Sequence, residues 1–210
     1  RIRGMVMSML NKQELEQVAA AIAGVEVKTD AELVTVLAGQ ADSYLYIPTL
    51  WAAMTALLLP ALMKLTPFWL IAEELFILQW IIFAVLAVVL RWQPLMMRLV
   101  PKQVRYWRAE NLARRQFLEN NLHHTAGETG LLIFVSEAEH YVEIIADRGI
   151  DKFISQDQWQ DIVDVFVAQV KAGNTVAGFT QCINSCGDLL EQYVPATKAK
   201  NELPNHLVII

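Results

Sequence analysis

Cysteine is scarce in this sequence, and the two that it contains, Cys182 and Cys186, stand four residues apart. This spacing differs from the two-residue spacing of the common redox and zinc motifs. Residues four apart share one face of a helix, so the pattern predicts two small, reduced side chains in a helix that faces the core. A disulfide or a metal role is the alternative.

The sequence also lacks an excess of positive charge, because 17 Lys and Arg stand against 22 Asp and Glu. Nucleic-acid binding needs a concentrated basic face that neutralises phosphates. The basic residues cluster beside an apolar region instead, and we expect no nucleic-acid partner. A secretory signal is not expected either, since Lys12, Glu14 and Glu16 come before any sustained apolar run.

Motifs of catalysis are absent as well. The sequence has no Gly-rich phosphate loop, no nucleophile with an evident base and no metal-ligand pair at helical spacing. His123 and His124 are adjacent, and adjacent histidines rarely face one site. An exposed position at a helix end is therefore favoured for them over acid–base or metal chemistry. No catalytic residue is predicted.

Two long apolar runs are the most prominent feature that is present. Hydrophobic residues make up 55% of the chain, and its mean hydropathy is +0.33. Residues 44–65 are apolar up to Lys64, and residues 68–90 are interrupted mainly by Glu73 and Glu74. Each run can cross about 30 Å of hydrocarbon as a helix. We predict a transmembrane hairpin, with Glu73 and Glu74 near the headgroups rather than in an ion path.

Charge asymmetry predicts the orientation of this hairpin. The connector Lys64–Pro67 carries a single basic residue, whereas the segment after the second run carries Arg91, Arg98, Lys102, Arg105, Arg108, Arg114 and Arg115. Because Lys and Arg are enriched on the cytoplasmic side, both chain ends are expected in the cytoplasm, beneath a bacterial-type inner (plasma) membrane. The basic helix after Pro101 suits anionic lipid headgroups, and a simple topology signal is the alternative.

The polar remainder has the alternating pattern of an α/β domain. The segments Gly130–Val135 and Tyr141–Ala146 are joined at hairpin length, which predicts antiparallel strands. The last residues, Leu207–Ile210, are either an edge strand or loose. The other predicted elements are a helix over 12–27 with Asn11 as N-cap, a strand over 32–38, and helices from Pro101 to about 122, over 157–171 and from 179 to before Pro195.

These elements divide the chain into five segments. They are residues 1–43, the first part of a cytoplasmic domain; 44–92, the transmembrane hairpin; 93–122, a juxtamembrane basic helix; 123–195, the second part of the domain; and 196–210, a polar tail.

Three stretches carry a resemblance to a known family. They are TDAELVTVLA at Thr29–Ala38, ETGLLIFVS at Glu128–Ser136 and VEIIADRGI at Val142–Ile150. In this order they resemble the TPM domain, and most closely its branch of predicted membrane proteins in which a hairpin follows the first strand. The resemblance implies an α/β fold: a three-layer α/β/α sandwich interrupted by a two-helix transmembrane hairpin.

The resemblance also implies a candidate metal site, because some family members bind a divalent cation or show acid phosphatase activity. Their Asp-Asn-Gly corresponds here to Glu128–Thr129–Gly130, and their next loop corresponds to Asp147–Asp151. Glu128, Asp147 and Asp151 are the candidate ligands, and their oxygens would suit Ca²⁺. Scattered surface acids are the alternative, and no other cofactor is expected.

Two classes of function follow. The first is a membrane-tethered interaction module that assists the assembly or quality control of other membrane proteins. Its partners would be the lipid bilayer and another membrane protein, with oligomers as an option. The second is a cation-dependent phosphatase-like hydrolase. The altered loops predict the first, without catalysis.

Overall fold

The structure is a computed structural model that describes residues 10–63, 65, 67, 71–125, 127–197 and 206–210. The described residues form two compact units. One unit runs up to Ala41 and resumes at Tyr106, and the other is Asp42–Arg105. The two apolar runs therefore lie in an insertion within the sequence of the α/β unit.

The elements follow the predicted order closely. The juxtamembrane segment 93–122 contains a short helix before Pro101 as well as the predicted helix after it. Pro101 separates the two, because proline has no N–H and holds the preceding Val100 in extended backbone. The described elements are α1 Lys12–Glu26, β1 Glu32–Ala38, α2 Tyr46–Met63, α3 Ala72–Val89, α4 Gln93–Leu99, α5 Lys102–Glu119, a 3-10 turn Leu122–His124, β2 Gly130–Ser136, β3 Tyr141–Ala146, α6 Arg148–Asp151, α7 Gln156–Lys171, α8 Thr175–Tyr193 and β4 His206–Ile209.

Helix α1 begins at the predicted N-cap. The side chain of Asn11 accepts the Glu14 N–H at 3.0 Å, and the Glu14 carboxylate accepts the Asn11 N–H in return. This capping box satisfies two amide groups that the helix itself leaves unbonded. Val18, Ile22 and Val25 are buried at helical spacing, so one face of α1 packs on the core.

The described strands form one sheet in the order β3-β2-β1-β4. β1 is parallel to β2 and to β4, and β2 and β3 are antiparallel, as the short connection between them predicted. Every residue of β1 and β2 is buried, which explains their continuous apolar composition. Leu207–Ile209 pair with β1 as the edge strand β4, which is the first of the two alternatives for the last residues of the chain.

Helices cover both faces of the sheet. On one face, Ala109 and Ala113 of α5 pack against Val34, Leu132 and Phe134. On the other face, α1, α7 and α8 bury a larger core that contains Val18, Ile133, Trp159, Phe166 and Ile183. The domain is therefore the three-layer α/β/α sandwich that the resemblance implied.

The cysteines lie in the second of these cores. Cys182 and Cys186 are buried and free on one face of α8, which matches the prediction of small reduced core residues. A hydrogen bond with Cys182 and burial raise the pKa of the Cys186 thiol well above its usual value. The thiolate is disfavoured there, so this pair has the character of packing residues rather than of a reactive site.

The second unit contains the two apolar helices, α2 and α3, which contact each other. Each is 18 residues long and apolar enough to cross a membrane. None of the residues of α3 is buried, and large side chains such as Phe76, Trp80 and Val88 are more than half exposed. Of the predicted connector and the start of the second run, Lys64, Thr66 and residues 68–70 lie outside the described residues.

Candidate functional site

The loops that carry the predicted metal ligands meet at the end of the sheet where β1 and β2 begin and β3 ends. Glu32, at the start of β1, donates its N–H to the Thr129 carbonyl at 3.1 Å. Gly149 donates its N–H to the Glu128 carbonyl at 2.8 Å. A Cβ on Gly149 would stand 2.3 Å from the Gly127 carbonyl oxygen. Only glycine permits this close approach of the two loops.

The side chains of the predicted ligands do not converge as closely as the loops do. Glu128 is exposed, with a left-handed φ of 53°. Asp147 caps α6 by accepting the Arg148 N–H at 2.8 Å, and Asp151 is exposed. In the described part of the chain, no three His, Cys, Asp or Glu side chains are grouped to hold a metal ion. The cation site therefore stays a prediction.

His123 and His124 lie in the 3-10 turn that precedes this region. Both side chains are exposed, and their ring centroids are 4.0 Å apart. This is the exposed position at the end of a helical segment that their adjacency favoured.

A half-buried carboxylate at the same end of the sheet was not predicted from the sequence. Glu26, at the end of α1, is near Glu32 of β1, which is 4% exposed. Burial and the negative charge of Glu32 raise the pKa of Glu26 to about 7, although a hydrogen bond from the Leu33 N–H opposes this effect. One signal was available, because Glu26 follows the buried Ile22 by four residues and so belongs to the apolar face of α1.

Glu26→Gln should make the protein more stable at about pH 8 and leave its stability nearly unchanged below pH 4.5. The folded-state pKa lies above the unfolded value of 4.5. The stability contributed by protonated Glu26 is therefore complete below pH 4.5 and is lost as the pH rises through about 7. Glu26 is only half-buried, so solvent screening reduces the expected gain in stability to about 1 kcal/mol.

The measurement is thermal unfolding of the detergent-solubilised chain across this pH range. Glu16→Gln, on an exposed position of the same helix, is the matched control. If Glu26→Gln changes the unfolding temperature by the same amount at both ends of the pH range, the raised pKa of Glu26 is contradicted.

A second carboxylate, which is fully buried, lies at the opposite end of the sheet, where β1 and β2 end and β3 begins. Glu139, in the turn between β2 and β3, is 1% exposed. Its two oxygens each accept the Ala41 N–H at 3.1 Å, and one also accepts the Ser136 hydroxyl. These hydrogen bonds join the turn to the chain after β1. Ser136 is equally buried, so its hydroxyl is not accessible as a nucleophile.

A groove of about 600 Å³ opens beside this turn. It lies between the β2–β3 hairpin and α7, with Tyr106 of α5 also lining it. β3 is an edge strand that pairs with β2 and with no other described strand. The apolar residues that line the groove are Val135, Val142, Val163, Phe166, Val167 and Val170, and its acidic, basic and histidine residues are Glu137, His140, Asp164 and Lys171. We call this feature the β3 groove.

Aromatic and polar contacts hold one side of the β3 groove in place. The ring of Tyr141 lies 5.4 Å from that of Tyr106 and 6.5 Å from that of Phe134, both edge to face. The Tyr141 hydroxyl donates to the Glu143 carboxylate at 2.9 Å. Burial and the charge of Glu143 raise the pKa of Tyr141, and burial raises that of Glu143. Tyr141 therefore stays protonated and acts as a fixed donor.

Comparisons with known proteins agree with this fold. The family model of the TPM domain matches residues 97–189. Among solved structures, the chain is similar to the NMR structure of the BA42 protein from the psychrophilic bacterium Bizionia argentinensis. The TM-score is 0.58 at 18% identity, with 95% of this chain and 94% of that chain covered. At this identity the likeness shows the fold alone. No curated protein matches the chain in sequence. Residues 97–189 of the chain thus match the TPM domain, the family that the three stretches resemble.

Proposed function

We propose that this protein is a membrane-tethered TPM domain that binds segments of other membrane proteins and assists their assembly or quality control. The observation that carries the proposal is the β3 groove, an apolar depression beside an open strand edge. It belongs to a chain that also contains two apolar helices of membrane-spanning length.

The chemistry of the β3 groove suits an extended polypeptide. An edge strand has free backbone N–H and C=O groups with which a second extended chain can form hydrogen bonds. The valines of α7 and β3 would receive apolar side chains from that partner, and the acidic and basic residues around them would limit its register. Unassembled membrane proteins expose such extended apolar segments.

The hairpin would place this groove at the cytoplasmic face of an inner membrane. The positive charges that follow α3 favour cytoplasmic chain ends, and a hairpin returns the chain to its starting side. Tethering would raise the effective concentration of the domain near membrane partners without any additional contact.

A photoreactive amino acid at Val163 should form discrete crosslinks to membrane proteins in cells that express the full chain. Val163 lines the β3 groove, whereas Val165, two residues away on the same helix, is 44% exposed and outside it. The same amino acid at Val165 is therefore the matched control. Gel analysis after ultraviolet exposure measures the outcome, and equal crosslinking at the two positions would contradict the proposal.

A cation-dependent hydrolase is the second candidate function. The observation that favours it is the contact of Gly149 with the Gly127–Glu128 backbone, which brings the loops of Glu128 and Asp147 together. Glu128, Asp147 and Asp151 would then have to turn towards a shared Ca²⁺.

Purified protein should show no phosphatase activity that depends on Ca²⁺ or Mg²⁺, because the candidate ligands Glu128, Asp147 and Asp151 are not grouped in advance to hold a cation. The comparison is with a Glu128→Ala, Asp147→Ala, Asp151→Ala variant. Glu16→Ala, Asp161→Ala, Asp188→Ala removes three exposed carboxylates elsewhere and is the control. Cation-dependent turnover that is lost only in the first variant would establish the hydrolase instead.

A further inference from the structure

The basic residues after the hairpin fall into two structurally different sets. In the middle of α5, Arg114 pairs with Glu110 at 2.5 Å and Arg115 pairs with Glu119 at 3.2 Å. These ion pairs follow the i,i+4 spacing of an exposed helix face and largely neutralise the charge there. The predicted basic face of this helix is thus weaker than its sequence indicates.

The other set has no such neutralisation. No Asp or Glu occurs between Arg91 and Ala109 in the sequence. Within the described part of the chain, Arg91, Arg98 and Arg105 form no ion pair with an acid. We call Arg91, Arg98 and Arg105 the basic collar, and all three belong to the unit that contains the two apolar helices.

Packing fixes the basic collar at one end of the hairpin. A short turn connects α3 to α4. At the start of α4, the Met96 N–H donates to the Trp92 carbonyl at 2.8 Å. Met96 and Val100 are buried together with Tyr44 and Ile47, where α2 begins. α4 is therefore held at the end where α2 starts and α3 stops.

A bilayer that α3 spans would have its lipid headgroups at this end of the helix. α3 is 18 residues long, which corresponds to about 27 Å of helix and nearly the whole hydrocarbon thickness. Arg91 and Trp92 follow directly, and Trp92 is 70% exposed. Tryptophan is enriched at this level of a bilayer because its ring is apolar and its N–H is polar.

We infer that the basic collar binds the phosphate of anionic phospholipids such as phosphatidylglycerol. This inference rests on the proposed membrane tether. Arg98 and Arg105 offer guanidinium groups that can bind phosphate in a bidentate manner. A lipid is the ligand rather than a soluble phosphate, because the collar continues directly from an apolar helix whose side chains would contact the acyl chains.

The test is native mass spectrometry of the full chain in neutral detergent, with equal amounts of phosphatidylglycerol and phosphatidylcholine of identical acyl chains. Phosphatidylglycerol adducts should dominate by at least about fivefold, and Arg98→Gln/Arg105→Gln should remove most of that preference. Arg114→Gln/Arg115→Gln, which removes the same charge from the same region of sequence, should retain it. Added glycerol phosphate should not displace the lipid.

The inference is overturned if both double variants lose the preference equally, if no preference exists, or if glycerol phosphate competes effectively. Alkaline carbonate extraction of native membranes separates this failure from that of the tether. Release of the chain by carbonate would refute the tether, whereas a retained chain without lipid preference would refute only the basic collar.

Discussion

Joining Gln40 to Pro101 through a flexible linker should give a soluble protein that unfolds in a single cooperative transition. The reason is that the α/β unit consists of the described residues up to Ala41 and from Tyr106 onwards, with the hairpin inserted between them. Loops of considerable length are tolerated at such positions because closure entropy grows slowly with length. Gel filtration and thermal unfolding are the measurements.

Expression of Pro101–Ile210 alone should give no cooperative transition. That fragment lacks β1, which lies between β2 and β4 and is buried along its whole length. Four apolar side chains of β1, those of Leu33, Val34, Val36 and Leu37, are at most 2% exposed. Their burial contributes roughly 8 kcal/mol, which is comparable to the entire stability of many domains.

Leu37→Asp in the linker-joined protein should reproduce the behaviour of the fragment, because it places an unpaired charge in the core. Glu16→Gln, on the exposed face of α1, should leave the transition unchanged. A fragment as stable as the linker-joined protein would show that β1 is dispensable and would refute the proposed inserted arrangement.

Gly149→Ala should destabilise the protein by about 3 kcal/mol. An added Cβ would stand 2.3 Å from the Gly127 carbonyl oxygen and 2.5 Å from that of Glu128. Both atoms are backbone, so the overlap can be relieved only by moving one loop away from the other. Such a movement would also lengthen the 2.8 Å hydrogen bond from the Gly149 N–H. Thermal unfolding in detergent measures the loss.

Gly24→Ala is the matched control for this substitution. Nothing lies within 4 Å of a Cβ at Gly24, which is an interior position of α1. Alanine should therefore be neutral there or stabilise the helix by about 0.5–1 kcal/mol. If Gly149→Ala behaves in the same way as Gly24→Ala, the loops of the candidate cation site do not touch, and the hydrolase loses the observation that favours it.

Much of the fold could be predicted because its signals are local. The Asn11 cap, the apolar strand Glu32–Ala38 and the hairpin connection before Tyr141 each depend on neighbouring residues, and all three appear as predicted. The two apolar helices could be predicted as well, because a long apolar run either spans a membrane or is buried in a protein core. The matched family model begins at residue 97, so the place of β1 in the same domain came from the pattern and the structure.

The candidate site was less predictable because its properties depend on contacts between distant segments. Glu128 and Asp147 were chosen from the resemblance, yet only the backbone contact through Gly149 shows how their loops meet. The β3 groove had no signal in the sequence, since its valines belong to three elements, β2, β3 and α7, and each valine has the pattern of an ordinary core position. The ion pairs of Arg114 and Arg115 likewise depend on side-chain placement.

The sequence by itself determined the order of the elements, the two apolar helices and the charge asymmetry around them, because periodicity, capping and hydropathy act over a few neighbouring residues. Only the tertiary structure decided that Leu207–Ile209 join β1, that burial and the charge of Glu32 raise the pKa of Glu26, and that β3 keeps an open edge beside α7. Strand partners, burial and grooves arise when segments far apart in sequence pack together, and no local pattern records which segments will meet.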